Sequence, residues 1–191
     1  MKKKINFIDL DNTLLPYNSF TRFVFYFMMN LKLFFPLLFL SFLRIIGFKR
    51  RDSYQKSVLL LTRKIPDYEL KLKDFSLLLY RDIKTSIQQV IQDYTDENTI
   101  NVLCTASPED YVHYFCEKLK DWKYLCSTLD KQSGSFYHMY GPNKLEVFTT
   151  IYKKDFYKYN VGLSDSKTDL DLLRLFDVAF LIKKNKFIKL K

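Results

Sequence analysis

The chain has 191 residues, of which 48% are hydrophobic and 17% aromatic, so it can build the core of an ordinary domain and is not globally disordered. Its formal net charge of +10 favours anionic partners: phosphorylated metabolites, acidic lipid headgroups or nucleic acid. No helix-turn-helix, zinc-finger or RNA-binding signature accompanies this charge, and we therefore predict that nucleic acid is not the partner.

The first predicted element is a buried strand at residues 4–10, whose apolar residues lie on both faces. Two carboxylates, Asp9 and Asp11, stand at its C-terminal end, where open α/β sheets bind their ligands. Two negative groups this close repel, and their burial is costly unless a cation compensates. A divalent metal explains the pair, and a solvated turn is the alternative, since Asp, Asn and Thr are common in turns.

The stretch 20–48 is hydrophobic nearly all round. Lys32 lies near its centre and Pro36 would kink or end a helix, so two helices are predicted, at 19–33 and 36–47. A single membrane crossing here would separate the N-terminal carboxylates from all later residues, and no segment is long enough for a return span. The two helices would form a cap core, a homodimer contact, or a hairpin lying on an anionic membrane surface.

Further helices are predicted at 49–64 and 68–94, before a polar break at 95–98. Strand and helix patterns then alternate, which is typical of a mainly parallel sheet. Helices are predicted at 108–120, 144–153 and 168–174, and strands at 100–104, 124–129, 157–163 and 178–182, with a short excursion at 136–140.

The predicted fold class is therefore α/β: a Rossmann-like, mainly parallel sheet flanked by helices, with a helical cap inserted after the first strand. The core domain would comprise residues 1–15 and 71–191, and the hydrophobic cap residues 16–70. Three cysteines without C-x-x-C spacing, and the absence of a signal-peptide pattern, are typical of a cytoplasmic protein. Membrane contact through 20–48 would make it peripheral at the inner face.

Four polar segments fall where predicted strands end or helices begin: Asp9-Leu10-Asp11-Asn12-Thr13, Thr105-Ala106-Ser107-Pro108, Gly141-Pro142-Asn143-Lys144 and Ser164-Asp165-Ser166-Lys167-Thr168-Asp169. In this order they resemble the four motifs of the haloacid dehalogenase (HAD) superfamily. The cap after the first motif resembles its phosphoserine-phosphatase-like branch. The resemblance spans nearly the whole chain, and the D-x-D-x-T segment is its most specific part.

This resemblance implies a phosphatase that hydrolyses a phosphate monoester through an aspartyl-phosphate intermediate. Asp9 would be the nucleophile and Asp11 the general acid/base. Thr105 and Ala106 would bind phosphoryl oxygens beside a helix N-terminus. Lys144 would neutralise charge on the transferring phosphoryl group.

The resemblance also implies Mg²⁺, held by Asp9, the carbonyl of Asp11 and Asp165. Thr13 would support the loop. Asp169 would orient Lys144 or a metal-bound water. Alternatively, Asp169 is an ordinary carboxylate in the first turn of a helix.

The chain departs from the branch at two places, and only the second affects the expected substrate. Asn12 replaces a frequent glycine, which concerns backbone freedom more than chemistry. Thr105-Ala106-Ser107 lacks the paired glycines of phosphoserine phosphatases, so phosphoserine is not predicted; a phosphorylated small molecule or an amphiphilic lipid phosphate is. Ser107 competes with Thr105 for the phosphate-binding role, although it also suits the N-cap of the next helix.

Two other functions use the same residues. A phosphotransferase would pass the phosphoryl group to an alcohol instead of water. A basic peripheral membrane-binding module would keep a vestigial HAD site without turnover.

Overall fold

The computed structural model describes residues 2–184 and 186–190. The strands are β1 (Lys3–Ile8), β2 (Thr99–Pro108), β3 (Lys123–Leu129), β4 (Phe136–Tyr137), β5 (Tyr157–Ser164), β6 (Val178–Lys183) and β7 (Lys186–Lys189). The helices are α1 (Ser19–Met28), α2 (Leu31–Ile45), α3 (Arg51–Thr62), α4 (Tyr68–Arg81), α5 (Thr85–Asp93), α6 (Glu109–Lys118), α7 (Pro142–Ile151) and α8 (Leu170–Leu173).

The seven strands form one sheet in the order β4-β3-β2-β1-β5-β6-β7. The five inner strands are parallel, and β4 and β7 pair antiparallel at the two edges. The predicted α/β class with a mainly parallel sheet is therefore confirmed. The short edge strand β7 was not predicted, because its lysines resemble those of a solvated tail.

The central strand β1 is buried by aromatic residues on both faces of the sheet. On one face Phe7 packs against Phe148 and Phe176, with ring centroids 5.8 and 6.0 Å away. On the other face, Ile8 belongs to a core cluster with aromatic residues of the inserted helices, including Phe23 of α1. A parallel strand covered on both faces needs apolar residues at consecutive positions. This is the sequence pattern from which β1 was predicted to be a buried strand.

The helices that follow β1 are joined to the sheet by an aromatic cluster. Phe23 of α1 contacts Phe75 of α4 and Tyr111 of α6 at centroid distances of 5.6 and 5.3 Å. Phe75 and Tyr111 are themselves 5.2 Å apart in an edge-to-face arrangement.

The predicted cap boundary at residue 70 stays a prediction. Of the helices in the described part of the chain, none has both the length and the apolarity needed to cross a membrane.

The predicted helix break at Pro36 is wrong. The break lies at Asn30, whose side chain accepts a hydrogen bond from the amide of Lys32 (3.0 Å) and caps α2. Pro36 lies inside α2 and is exposed. The proline removes only the helical hydrogen bond to the carbonyl of Lys32. Because Lys32 is exposed, water can bond to that carbonyl instead.

The predicted single helix at 68–94 is also wrong, because α4 and α5 are separate. Between them the amide of Lys84 donates to the carbonyl of Leu14 (3.0 Å), and its Nζ donates to the carbonyl of Asn12 (2.8 Å). These long-range hydrogen bonds hold the turn after β1, and no local sequence pattern predicts them.

Gly162 of β5 lies where the sheet meets α8. A Cβ at this position would come within 2.8 Å of Leu173 and 3.2 Å of Phe176. We expect Gly162→Ala to lower the free energy of unfolding by about 1–3 kcal/mol, because the close packing must give way. Urea denaturation of the variant and of the parent chain measures this.

A double-mutant cycle with Leu173→Ala provides the control. Leu173→Ala alone should cost about 2–5 kcal/mol, and the two changes together should cost less than their sum, because the smaller residue accommodates the new methyl group. Additive losses would contradict a clash with Leu173.

Candidate active site

The first motif continues from β1 into a tight turn at Leu10–Leu14. The amide of Asp9 donates to the carbonyl of Leu163 at the end of β5 (2.9 Å), so the two strand ends are joined. Asn12 has a φ of +55°, in the left-handed region that asparagine tolerates better than most residues. The asparagine therefore serves the backbone need that glycine meets elsewhere, and the turn keeps both carboxylates at the sheet edge.

Lys144 lies in the first turn of α7 and reaches two carboxylates. Its Nζ donates to Oδ1 of Asp9 (2.7 Å) and to Oδ2 of Asp169 (2.9 Å). Ser164 donates from Oγ to the same Asp169 oxygen (2.7 Å). All three charged side chains are at most 7% exposed. The third and fourth motifs thus meet the first through one buried cation.

Burial and neighbouring charges together set the pKa values of Asp9 and Lys144. Burial raises the pKa of Asp9 to about 7, helped by repulsion from Asp169 and Asp11 and opposed by Lys144. Burial alone would lower the pKa of Lys144, but the attraction of Asp9 and Asp169 outweighs it and raises that pKa above its usual value. Lys144 is therefore a fixed cation at neutral pH.

Asp11 is held by the start of α1. Its Oδ1 accepts from the amide of Ser19 (2.7 Å), and its Oδ2 accepts from Nδ2 of Asn18 (2.8 Å) and from Oγ of Ser107 (3.3 Å). Burial raises the pKa of Asp11, while the bonds from Ser19 lower it. A carboxyl group with a raised pKa and a fixed orientation suits proton transfer.

The second motif lies at the end of β2. Thr105 and Ala106 are buried, and the amide of Ser107 donates to Oγ1 of Thr105 (3.1 Å). The N-cap role for Ser107 is wrong: Pro108 occupies that position, and its side chain makes no capping bond. The Ser107 hydroxyl bonds to Asp11 and, at 2.8 Å, to Ser19, because the acidic residue offers a stronger acceptor.

Thr13 links the first and fourth motifs. Its hydroxyl accepts from the amide of Asp165 (2.8 Å) and donates weakly to Oδ2 of Asp9 (3.5 Å). Burial raises the pKa of Asp165, and a hydrogen bond from Asn12 opposes the rise. The Thr13 hydroxyl therefore sets the spacing between the loops that carry these carboxylates.

A cavity of about 190 Å³ brings together most of the predicted site: Asp9, Asp11, Thr105, Ala106, Lys144 and Asp165 all line it. Thr13 and Asp169 lie behind this lining and contact it through Asp9 and Lys144. A larger cleft, of about 890 Å³ between α4 and α6, contains none of these residues. The predicted site residues therefore converge on the smaller cavity and not on the larger cleft.

Sequence reasoning missed Asn18, Arg51 and Tyr140 as residues of the cavity wall. Arg51 begins α3, and its guanidinium lies 5.0 Å from the centre of the Tyr140 ring, a cation–π contact. In the sequence Arg51 is one of three consecutive basic residues, and nothing local distinguishes it from Arg50. Only the tertiary position of α3, over the sheet edge, distinguishes Arg51 from Arg50 by placing it in the cavity wall.

The donor set suits a hard divalent cation. Asp9, Asp11 and Asp165 present oxygen atoms to one cavity, and burial disfavours the charge of each. Within residues 2–184 and 186–190, no three side chains of His, Cys, Asp or Glu are grouped closely enough to hold a metal. The predicted ligand set needs only two such side chains, Asp9 and Asp165, because Asp11 would contribute its backbone carbonyl, and it stays a prediction.

Comparison with known proteins places the chain in a family. A family model of haloacid dehalogenase-like hydrolases matches residues 7–174, so the chain belongs to that family. A search of curated proteins finds no match. The predicted superfamily and hydrolase class are confirmed.

Solved structures share the fold at low identity. A protein of unknown function from Bordetella pertussis Tohama I has a TM-score of 0.74 at 14% identity, over 95% of this chain and 91% of its own. A phosphoserine phosphohydrolase-like protein from Francisella tularensis subsp. tularensis SCHU S4 has a TM-score of 0.59 at 16% identity, over 96% and 88%. A phosphoserine phosphatase in apo form has a TM-score of 0.59 at 13% identity, over 95% and 86%. The chain therefore shares its fold with structures described as phosphoserine phosphatases or as similar to them.

The buried cation yields a prediction about stability. We expect Lys144→Met to lower the free energy of unfolding by about 3–5 kcal/mol, because it leaves Asp9 and Asp169 buried without a counter-charge. Urea denaturation measures the loss. Adding Asp169→Asn should restore part of it by removing one of the stranded charges.

The matched control is Lys158→Met. Lys158 pairs with Asp177 at 3.2 Å, but both side chains are more than half exposed, 58% and 54%. This change should alter stability by no more than about 1 kcal/mol. Equal losses in the two lysine variants would contradict the stabilising role of the buried pair.

Proposed function

We propose that the chain is a Mg²⁺-dependent phosphatase that hydrolyses a phosphate monoester through an aspartyl-phosphate intermediate. The observation that carries this proposal is the pairing of Asp9 with the buried Lys144 beside an Asp11 held in a fixed orientation. A nucleophile, a proton donor and a cation then face one small cavity. Phosphatases among the structures of similar fold support the same reaction class.

In the first half of the reaction, a carboxylate oxygen of Asp9 attacks phosphorus and the bond from phosphorus to the ester oxygen breaks. Asp11 gives its proton to the departing alkoxide, which leaves as an alcohol. Lys144 and the amides near Thr105 stabilise negative charge on the phosphoryl oxygens. The raised pKa of Asp11 favours the protonated form that this step needs.

In the second half, water attacks the phosphorus of the aspartyl-phosphate while Asp11 takes up its proton. The bond between phosphorus and the Asp9 oxygen breaks, which releases inorganic phosphate and regenerates the carboxylate. Asp9, the carbonyl of Asp11 and Asp165 would hold Mg²⁺, which when bound supplies positive charge against these carboxylates and the phosphoryl group.

Asp9→Asn tests the mechanism with p-nitrophenyl phosphate. The parent chain should release p-nitrophenol only with Mg²⁺ present, and the variant should lose at least about a thousandfold in kcat, because an amide is a poor nucleophile. Asp171→Asn is the control, since Asp171 is a surface residue with a 75% exposed side chain. Activity that survives in Asp9→Asn would rule out the covalent route.

Arg51 is expected to bind the part of the substrate that lies beyond the phosphoryl group. Arg51→Ala should raise KM by about ten- to a hundredfold and change kcat less, because a charge-assisted hydrogen bond contributes about 1.5–3 kcal/mol to binding. Arg50→Ala is its matched control, because that side chain is 89% exposed and does not line the cavity. Similar KM values for the two variants would exclude this role.

Two further measurements separate the alternatives. If the chain is a phosphotransferase, added glycerol should lower the ratio of inorganic phosphate to p-nitrophenol. Absence of any metal-dependent turnover would favour a vestigial site. A panel of phosphorylated metabolites and lipid phosphates then identifies the substrate class.

A further inference from the structure

The helix α2 exposes an apolar face along its whole length. Its inner side is buried through Leu33 and Leu37, which are 5% and 0% exposed. The outer side carries large apolar residues at helical spacing: Leu31 (88% exposed), Phe35 (73%), Leu38 (47%), Phe39 (61%), Phe42 (53%) and Ile45 (83%). We name these six outward residues the α2 outer face. Because they are exposed, they do not form a buried core within the cap.

The apolar surface extends past both ends of α2. Met29, just before the helix, is 83% exposed, and Phe48, just after it, is 81% exposed. Phe25 of α1 is 62% exposed. Monomeric proteins rarely present so many large apolar side chains together, and such a patch is typical of an interaction surface.

The charge of this segment identifies the partner. Residues 12–51 contain no Asp or Glu, and the six charged residues among them are all basic: Arg22, Lys32, Arg44, Lys49, Arg50 and Arg51. Lys32 and Arg44 belong to α2 itself and are exposed. An apolar helix face whose own charged residues are all cations matches a surface with an apolar interior and negatively charged headgroups.

A second copy of the chain fits this surface less well. In a twofold dimer formed through α2, each helix would meet its own copy, so that the cations of one approach the cations of the other. The segment offers no carboxylate to pair with them. Like charges brought together across an interface oppose association.

We propose that the α2 outer face binds the surface of an anionic lipid bilayer. The helix lies in the interface, with its phenylalanines among the acyl chains near the headgroups and its basic residues on the lipid phosphates. The apolar surface continues from this face to Phe48, which is followed three residues later by Arg51 of the candidate active-site cavity. A bound cap therefore holds the mouth of that cavity beside the headgroups.

Vesicle flotation tests the proposal with the full-length chain. The parent should float with vesicles of equal parts phosphatidylcholine and phosphatidylglycerol, and not with vesicles of phosphatidylcholine alone, and added salt should weaken the binding. The variant Phe35→Ser/Phe39→Ser should bind the anionic vesicles at least about tenfold more weakly, since two aromatic side chains no longer enter the apolar layer.

The matched control is Ile151→Ser/Phe156→Ser, which also removes two large exposed apolar side chains, 51% and 68% exposed, but outside the cap. It should bind vesicles like the parent. Failure of the parent to float, binding to neutral vesicles that equals binding to anionic ones, or an equal loss in the control would overturn the proposal.

The oligomeric state of the protein provides the last test of the proposal. Sedimentation velocity in the absence of lipid should give the same state for the parent and for Phe35→Ser/Phe39→Ser. A dimer that dissociates in this variant, without vesicle binding by the parent, would assign the face to a second copy instead. Far-ultraviolet circular dichroism confirms that each variant is folded.

Discussion

The site depends on one buried cation. Lys144 lies between Asp9 at the end of β1 and Asp169 beyond the end of β5, and all three are almost completely shielded from water. Removing two carboxylates from water is unfavourable, and only a counter-charge at hydrogen-bonding distance makes it tolerable. That requirement fixes α7 against the sheet edge. The same contacts that hold the elements together therefore set the charge of the catalytic cavity.

Asp11 is controlled from the inserted helices. Asn18 and Ser19, at the entry to α1, hold Asp11, and the aromatic cluster around Phe23 fixes α1 against the sheet. Arg51 enters the cavity wall from α3. The inserted segment thus supplies part of the cavity wall. Because α1 packs through its buried face and α2 presents an apolar outer one, the two helices have different roles despite similar compositions.

Helix boundaries show where local patterns stop being informative. Pro36 is the strongest local breaker in the hydrophobic stretch, yet α2 includes it, since a solvent-exposed turn tolerates one missing hydrogen bond. The separation of α4 from α5 comes from Lys84 bonding to the turn after β1, some seventy residues earlier in the chain. Ser107 illustrates the same limit, because its hydroxyl finds Asp11 instead of the helix end.

The sequence by itself determined the α/β class, the buried first strand and the family, because apolar runs, turn residues and ordered polar segments are local properties. The same segments predicted the residues that converge on the cavity, since the carboxyl ends of parallel strands share one edge. Tertiary structure alone decided which of three adjacent basic residues enters the cavity. It also decided that the α2 outer face remains exposed. These outcomes depend on packing between distant segments, and composition cannot distinguish a buried apolar helix from one whose partner is a separate surface.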